Sequence, residues 1–259
     1  ADKAKNLADW ENEEGVNVAF FKVTLDMPGL VGLLKEMFRA SFFEREIFYD
    51  DLGFSIIKEF LHDYKRFLVS FRDEVLQYED YGNPANHELI MDNLFCIKIQ
   101  KPGDIKPLVW SYAEKIESED FFAQMVRFAT TNKKALPINL SVTVSSVKYP
   151  FMEHWRRLND PVEEINIYAI PNVKIEVGFA KFKQLMDSKI EDHEVSAALH
   201  KLAEIEERTG SQFLTTVAML DMKGDLKDLA RPLITTNELS INETLAYYKI
   251  MKGAQNNEQ

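Results

Sequence analysis

Glycine is scarce in this chain, and its shortage argues against the common nucleotide-binding folds. The sequence holds 10 glycines among 259 residues, about 4% where roughly 7% is typical. Folds that cradle phosphates place glycines at fixed positions, because the backbone must approach the ligand closely. Neither G-x-G-x-x-G nor G-x-x-x-x-G-K-[ST] occurs in the sequence. A Rossmann or P-loop nucleotide enzyme is therefore not expected.

Clusters of basic residues are also lacking. The formal net charge is −11, and the densest basic stretches are short, such as Lys133–Lys134 and Arg156–Arg157. Binding to a phosphate backbone depends on clustered Lys and Arg side chains. We therefore expect no nucleic-acid partner, and we interpret the acidic surface as a source of solubility.

Cysteine and long apolar runs are equally rare. Cys96 is the only cysteine, so no internal disulfide can form, and its apolar surroundings at 94–97 predict a small buried side chain. The longest apolar stretches, Val18–Phe21 and Leu30–Leu34, are far shorter than the roughly 20 residues of a membrane helix. Residues 1–15 show no signal-peptide pattern. The expectation is a cytoplasmic protein without a membrane partner.

Alternating side chains predict several strands. The clearest patterns cover 16–25, 94–100 and 138–147, and the run 165–182 is interpreted as a hairpin whose second strand covers 173–182. The segment between the turn at 81–84 and the strand near 94 is interpreted as a short helix. Residues 212–222 favour a further strand.

The strand at 138–147 has an unusual polar face, which carries four short, uncharged side chains. Small hydroxyl and amide groups let a second layer approach closely and form hydrogen bonds with it. We therefore expect a helix of this chain or a partner subunit to cover this face, and an ordinary solvated face is the alternative. The four residues are Asn139, Ser141, Thr143 and Ser145.

A helix over about 53–79 has the strongest periodic pattern in the sequence. Its apolar residues follow a 3-4-3-4 spacing, which is typical of a seam that faces a partner helix. We expect the preceding helix to pack against it in a hairpin, and an intermolecular coiled coil is the alternative. The preceding helix carries Leu30, Leu34, Met37, Phe38, Phe42 and Phe48. Ile56, Phe60 and Phe67 widen the stripe, which predicts that this helix is buried on more than one side. The seam residues are Phe54, Ile57, Leu61, Tyr64, Leu68, Phe71, Val75 and Tyr78.

Further helices are predicted from amphipathic patterns and capping residues. They cover about 105–117, 119–132, 150–158 and 188–209, and a final helix runs from Ser240 to Gly253. Gly210 suits the left-handed position that ends the helix over 188–209.

Together these elements predict an α+β fold. Its helix-rich N-terminal third contains a long helical hairpin, which packs with a mostly antiparallel sheet. Strands and helices intermingle without a regular βαβ alternation, and no fixed-period repeat or low-complexity linker divides the chain. We predict a single α+β domain over residues 1–253 and a disordered tail at 254–259.

Five histidines were tested as metal or acid–base residues. Glu59 and His62 have the Glu-x-x-His spacing of di-iron bundles, but no second such motif exists. His193, His200 and Glu204 share one helical face, which the neighbouring apolar residues leave on the solvated side. The pairs His87–Glu88 and Glu153–His154 could support acid–base chemistry only with partners from elsewhere.

These patterns assign no catalytic, cofactor-binding or metal-binding residue, and no cofactor is expected. The hypothesis they favour is a non-enzymatic structural, assembly or adaptor protein that acts through contacts with a protein partner or with itself. The aromatic seam and the Ser/Thr/Asn strand face motivate this hypothesis. The alternative is an enzyme or small-ligand binder whose site is assembled from separated His and carboxylate residues.

Overall fold

The structure is a computed structural model that describes residues 5–41, 49–78, 81–118, 120–187, 193–210 and 241–251. Within these residues, one six-stranded mixed sheet has helices packed on both of its faces. The predicted α+β class and the helix-rich N-terminal third are confirmed.

The sheet has the strand order β2-β3-β1-β4-β5-β6. All neighbouring strands are antiparallel except β4 and β5, which run parallel and are joined through a helix. The strands predicted near 16–25, 94–100 and 138–147 are confirmed. The strands are β1 (Asn17–Leu25), β2 (His87–Met91), β3 (Leu94–Ile99), β4 (Ile138–Ser146), β5 (Ile165–Ala169) and β6 (Val173–Val177).

The helices predicted over about 105–117, 119–132 and 150–158 are confirmed, whereas the helices Lys5–Trp10 and Phe179–Asp187 were not predicted. Gly210 follows α8 with φ +58°, and its N–H donates to the Glu206 carbonyl at 2.8 Å, as a left-handed helix end requires. The helices are α1 (Lys5–Trp10), α2 (Met27–Ser41), α3 (Tyr49–Val75), α4 (Lys106–Ser118), α5 (Asp120–Asn132), α6 (Phe151–Asn159), α7 (Phe179–Asp187), α8 (His193–Thr209) and α9 (Ile241–Met251), with a 3₁₀ turn at Pro102–Ile105.

Two predictions were wrong. The segment before β3 is strand β2 and not a short helix, because it pairs antiparallel with β3 along the edge of the sheet. The strand predicted over 173–182 ends at Val177, and Phe179 begins α7. The Glu164 carboxylate accepts the Phe179 N–H, which satisfies one of the free donors at that helix start.

Several predictions lie outside the described residues and stay predictions. They include the strand at 212–222, the tail at 254–259, the positions of Phe42 and Phe48, and the caps at Ser188 and Ser240.

The first face of the sheet forms the main apolar core. Phe21 of β1 stacks on Phe95 of β3, with 5.3 Å between ring centroids. On α3, Phe67 contacts the rings of Tyr112 in α4 and Phe122 in α5 at 5.7 and 5.2 Å. Helices α2, α7, α8 and α9 also bury apolar residues in this core. The ring contacts of α3 with other elements are therefore made with α4, α5 and β3.

The periodicity predicted for α3 was right, but the centre of its buried stripe was wrong. Phe60 and Phe67 are fully buried, and so are the seam residues Phe71 and Val75, so α3 is buried on more than one side, as predicted. Leu61 is half-buried, and Tyr78 is exposed. The buried stripe is rotated relative to the predicted seam, because α3 packs against two helices and a strand. A helix with only one partner helix would bury a narrower line of residues.

The second face of the sheet is covered by the short helices α1 and α6. Trp10 of α1 and Leu158 of α6 pack on Phe20, Leu94 and Cys96 of the sheet. Burial raises the pKa of the Cys96 thiol, so this cysteine is the buried apolar group that its surroundings predicted. Across the residues that the structure describes, no helix has the length and apolar character needed to cross a membrane.

Candidate functional site

The polar residues of β4 lie on the second face, beneath α6. Ser141 and Thr143 are fully buried and Ser145 is nearly so, whereas Asn139 at the start of the strand is half-buried. The prediction that this face is covered is confirmed, and the covering layer is a helix of the same chain. The strand face that motivated a partner interface is thus an internal surface.

His154 of α6 lies at the centre of this layer. Its Nδ1 lies 2.7 Å from Thr143 Oγ1, and its Nε2 lies 2.8 Å from Ser145 Oγ. The single hydroxyl proton of Ser145 is donated to the Ser146 carbonyl at 2.8 Å. Nε2 therefore carries the ring proton and donates it to Ser145, and Nδ1 accepts the proton of Thr143.

Burial, together with the smaller effect of the nearby Arg157 guanidinium, lowers the pKa of His154 to about 4. The ring is therefore neutral at physiological pH. A base that already donates its proton to Ser145 cannot activate that hydroxyl as a nucleophile. Glu153, its neighbour in the predicted acid–base pair, pairs instead with Arg156 at 2.7 Å. This arrangement is a closed structural network.

A second polar chain connects α6 to β5 and β6. The Arg157 guanidinium lies 5.2 Å from the centre of the Tyr168 ring, and the Tyr168 hydroxyl donates to Glu176 at 2.9 Å. Burial opposes ionisation of Glu176, but hydrogen bonds from Lys174 and Tyr168 lower its pKa below the usual value. Burial raises the pKa of the Tyr168 hydroxyl. Glu176 and the Tyr168 hydroxyl are thus bonded within the chain, whereas the buried Nε of Arg157 has no hydrogen-bond partner among the described residues.

Beside these networks, four side chains of β1 and β4 form a less complete group, which we call the Lys22 block. In the register of the two strands, Lys22 lies opposite Ser141 and Thr24 lies opposite Asn139. Lys22 is only 8% exposed, donates to Asn159 Oδ1 and lies 5.3 Å from the centre of the Trp155 ring. Among the described residues, the buried hydroxyl oxygens of Ser141 and Thr24 have no hydrogen-bond partner. Burial lowers the pKa of Lys22.

The signal for Lys22 in the sequence is a single charged residue inside the otherwise apolar run of β1. That pattern was treated as ordinary alternation, so the residue was not selected as a candidate. Its neighbours could not have been identified, since they depend on the pairing register of strands that are distant in sequence.

The other histidines take separate positions. His87 Nδ1 donates to the Tyr81 carbonyl at 2.7 Å, and Glu88 accepts the Leu7 N–H at 3.2 Å, so both residues secure local backbone. Glu59 and His62 are exposed on α3. On α8, which begins at His193, His200 and Glu204 are exposed too. In the part of the chain that is described, no three His, Cys, Asp or Glu side chains form a group that could hold a metal ion.

An open groove runs along the outer face of α3, and we call it the α3 groove. Its volume is about 960 Å³. Val69 and Tyr78 expose 47% and 37% of their surface there. In the sequence, the signal for this groove is the apolar Val69 among polar neighbours on the outer face of the helix. The groove is lined by His62, Lys65, Arg66, Val69, Ser70, Asp73, Glu74, Gln77 and Tyr78 of α3 and its end, with Lys115 of α4.

The charges of the α3 groove are unevenly distributed. Near its α4 side, Lys115 pairs with Glu74 at 2.7 Å, and Ser111 donates to the same carboxylate. Burial raises the pKa of Glu74, but the hydrogen bonds from Lys115 and Ser111 outweigh it and lower the pKa overall. Lys65 and Arg66 are exposed at the other end, where Arg66 pairs with Asp63 at 3.5 Å. Because Lys65 adds a second positive charge there, we call this end the basic end.

Comparison with protein-family models, with curated proteins and with solved structures finds no match to this chain. The geometry of its own residues is therefore the basis for any functional proposal.

Proposed function

We propose that this protein is a non-enzymatic assembly or adaptor protein, and that it binds a helical segment of a protein partner in the α3 groove. The observation that carries the proposal is the open groove itself, where the apolar Val69 is exposed between charged residues. Recognition of an amphipathic helix in a groove uses apolar anchors flanked by polar contacts. The residues that line α3 recur every three or four positions, so they form one continuous face about four turns long.

The charges of the groove favour a particular kind of segment. Lys65 and Arg66 lie about one turn before Val69, at the basic end. A partner helix with an apolar residue over Val69 and acidic residues one turn away would match both features. Electrostatic complementarity of this type sets orientation and association rate more than affinity.

The polar layer beneath α6 supports a non-enzymatic role. The histidine there is neutral, and it is buried together with the two hydroxyl groups that its nitrogens contact, so no substrate reaches them. An active site needs a reactive group that a substrate can reach. A single buried cysteine also suits a reducing compartment, and we propose that the protein acts in the cytoplasm.

The proposal is tested by capture with three forms of the full chain: wild type, Val69→Lys and Met152→Lys. Met152 is 68% exposed on α6, so it provides the same apolar-to-lysine change away from the groove. Each form is incubated with extract of the source cells, and retained proteins are quantified by mass spectrometry. We expect a partner that wild type and Met152→Lys retain equally and that Val69→Lys retains at least tenfold less.

Sedimentation of the purified protein is measured in parallel. A dimer that Val69→Lys dissociates would identify a second copy as the partner. Because Val69 is exposed, its substitution should change the free energy of unfolding by no more than about 0.5 kcal/mol. The proposal is wrong if all three forms retain the same proteins and sediment alike, or if only Met152→Lys loses a partner.

A further inference from the structure

The Lys22 block contains a positive charge that no acidic group balances. Among the residues that the structure describes, Lys22 pairs with no carboxylate, and its hydrogen bond is to the neutral Asn159 amide oxygen. Removing an ammonium group from water is costly unless an opposite charge and hydrogen bonds replace the solvent. The ring of Trp155 compensates only in part, since cation–π contacts are weaker than a charge pair.

Two hydroxyl groups beside this charge are unsatisfied. Ser141 is fully buried and directly opposite Lys22, and Thr24 is two residues along the same strand face. Opposite and diagonal neighbours on one sheet face lie about 5–8 Å apart, so a single small group can reach all three side chains. Buried polar atoms without partners are rare in native proteins, and an unseen water, ion or ligand is a common reason for them.

We propose that the Lys22 block binds the oxyanion group of a small ligand, a phosphate or a carboxylate. The Lys22 ammonium would balance its charge, and the hydroxyl groups of Ser141 and Thr24 would donate to its oxygens. A water molecule could satisfy the hydroxyl groups, but it would leave the charge of Lys22 unbalanced. The oxyanion accounts for all three observations together.

In this proposal the oxyanion enters at the C-terminal end of α6. Asn159 is exposed there and contacts Lys22, and Thr24 is half-exposed beside it. An arriving oxyanion would join Asn159 Oδ1 as a second acceptor for the ammonium group, which has three protons to donate. The Asn159 side chain would stay in place, because its Nδ2 donates to the Trp155 carbonyl at 2.6 Å. Since α6 covers Ser141, only a small or terminal anionic group can reach the hydroxyl groups.

Isothermal titration calorimetry of the full chain tests the proposal with two probes, sodium phosphate and sodium acetate. Each titration uses a matching sodium chloride blank at equal ionic strength. We expect saturable binding of at least one probe by the wild type, and the stronger of the two identifies the oxyanion class. Lys22→Met removes the charge and keeps the length of the side chain, so it should abolish binding. Ser141→Ala should weaken binding at least tenfold.

The matched control is Lys148→Met, the same change at an exposed lysine outside the block, which should bind as the wild type does. Without added anion, Lys22→Met should melt at the same temperature as the wild type or higher, because it removes an unbalanced charge. The proposal is overturned if the wild type binds neither probe. Equal affinity in the wild type, Lys22→Met and Ser141→Ala would also overturn it. Ser141→Ala keeps the test decisive should Lys22→Met fold poorly.

Discussion

The two faces of the sheet are filled in opposite ways. On the first face, rings and aliphatic side chains from many helices pack together, and contacts such as Phe21 with Phe95 need no directional partner. On the second face, α6 covers hydroxyl groups whose hydrogen bonds must be matched one by one. An apolar layer tolerates small adjustments, whereas in a polar layer each buried donor or acceptor that lacks a partner costs free energy. The unpartnered hydroxyl groups near Lys22 are informative for that reason.

The largest expected effect is that of a charge placed in the polar layer. Thr143→Lys removes the hydroxyl that His154 accepts from and buries an ammonium at a fully buried position. We expect the free energy of unfolding to fall by about 4 kcal/mol or more. Ser146→Lys, at the exposed end of the same strand, should change it by no more than about 0.5 kcal/mol. Similar urea midpoints for the two variants would show that α6 does not seal this face.

The apolar face should respond to lost volume. Phe67→Ala removes a ring that contacts two other helices, and we expect a loss of about 3–5 kcal/mol in urea unfolding. Leu61→Ala, at a half-buried position on the same helix, should cost about 1 kcal/mol. This comparison also tests which side of α3 faces the core. Equal losses at the two positions would instead support the buried stripe that the spacing of apolar residues alone predicts.

The smallest expected effect is a pH dependence of the unfolding free energy that comes from the second face of the sheet. The pKa of His154 is lowered from 6.5 to about 4, so between these values the unfolded chain binds more protons than the folded one. The free energy of unfolding should therefore rise with pH across this window, and the contribution is lost as pH falls towards 4. The full change is about 3 kcal/mol at most.

The measurement is the difference in unfolding free energy between the wild type and His154→Gln at several pH values. Subtracting the variant removes the contribution of groups that titrate in both proteins. A difference that stays constant from pH 4 to pH 7 would mean that the ring is solvated and that the polar layer is open.

Sequence patterns predicted the local part of this architecture well. The alternation in 138–147 identified both the strand and the unusual character of its polar face, because short uncharged side chains at every second position are visible without a structure. The covering helix was predicted as well, over 150–158. Its role was not, since an amphipathic pattern shows that a helix has a buried face and not which surface that face meets.

Properties that depend on packing between distant segments could not be predicted. The spacing of apolar residues in α3 is compatible with several rotations, and only the arrangement of α4, α5 and β3 selects Phe60 and Phe67 for the core. The Lys22 block depends on the register of β1 and β4. At the sheet edge, β2 was missed because an edge strand is stabilised by a single neighbour, so its own side-chain pattern is weakly constrained.

The unit β4–α6–β5 also bears on how the chain folds. His154 meets Thr143 and Ser145 across separations of 11 and 9 residues, whereas the rings of the apolar face come from segments far apart in sequence. Short loops close with a smaller entropy loss, and local contacts form sooner than distant ones. Residues 138–169 can therefore assemble their strand–helix–strand unit before β1 arrives beside it. The polar layer would then form early, and the apolar layer, whose contacts join distant segments, would form last.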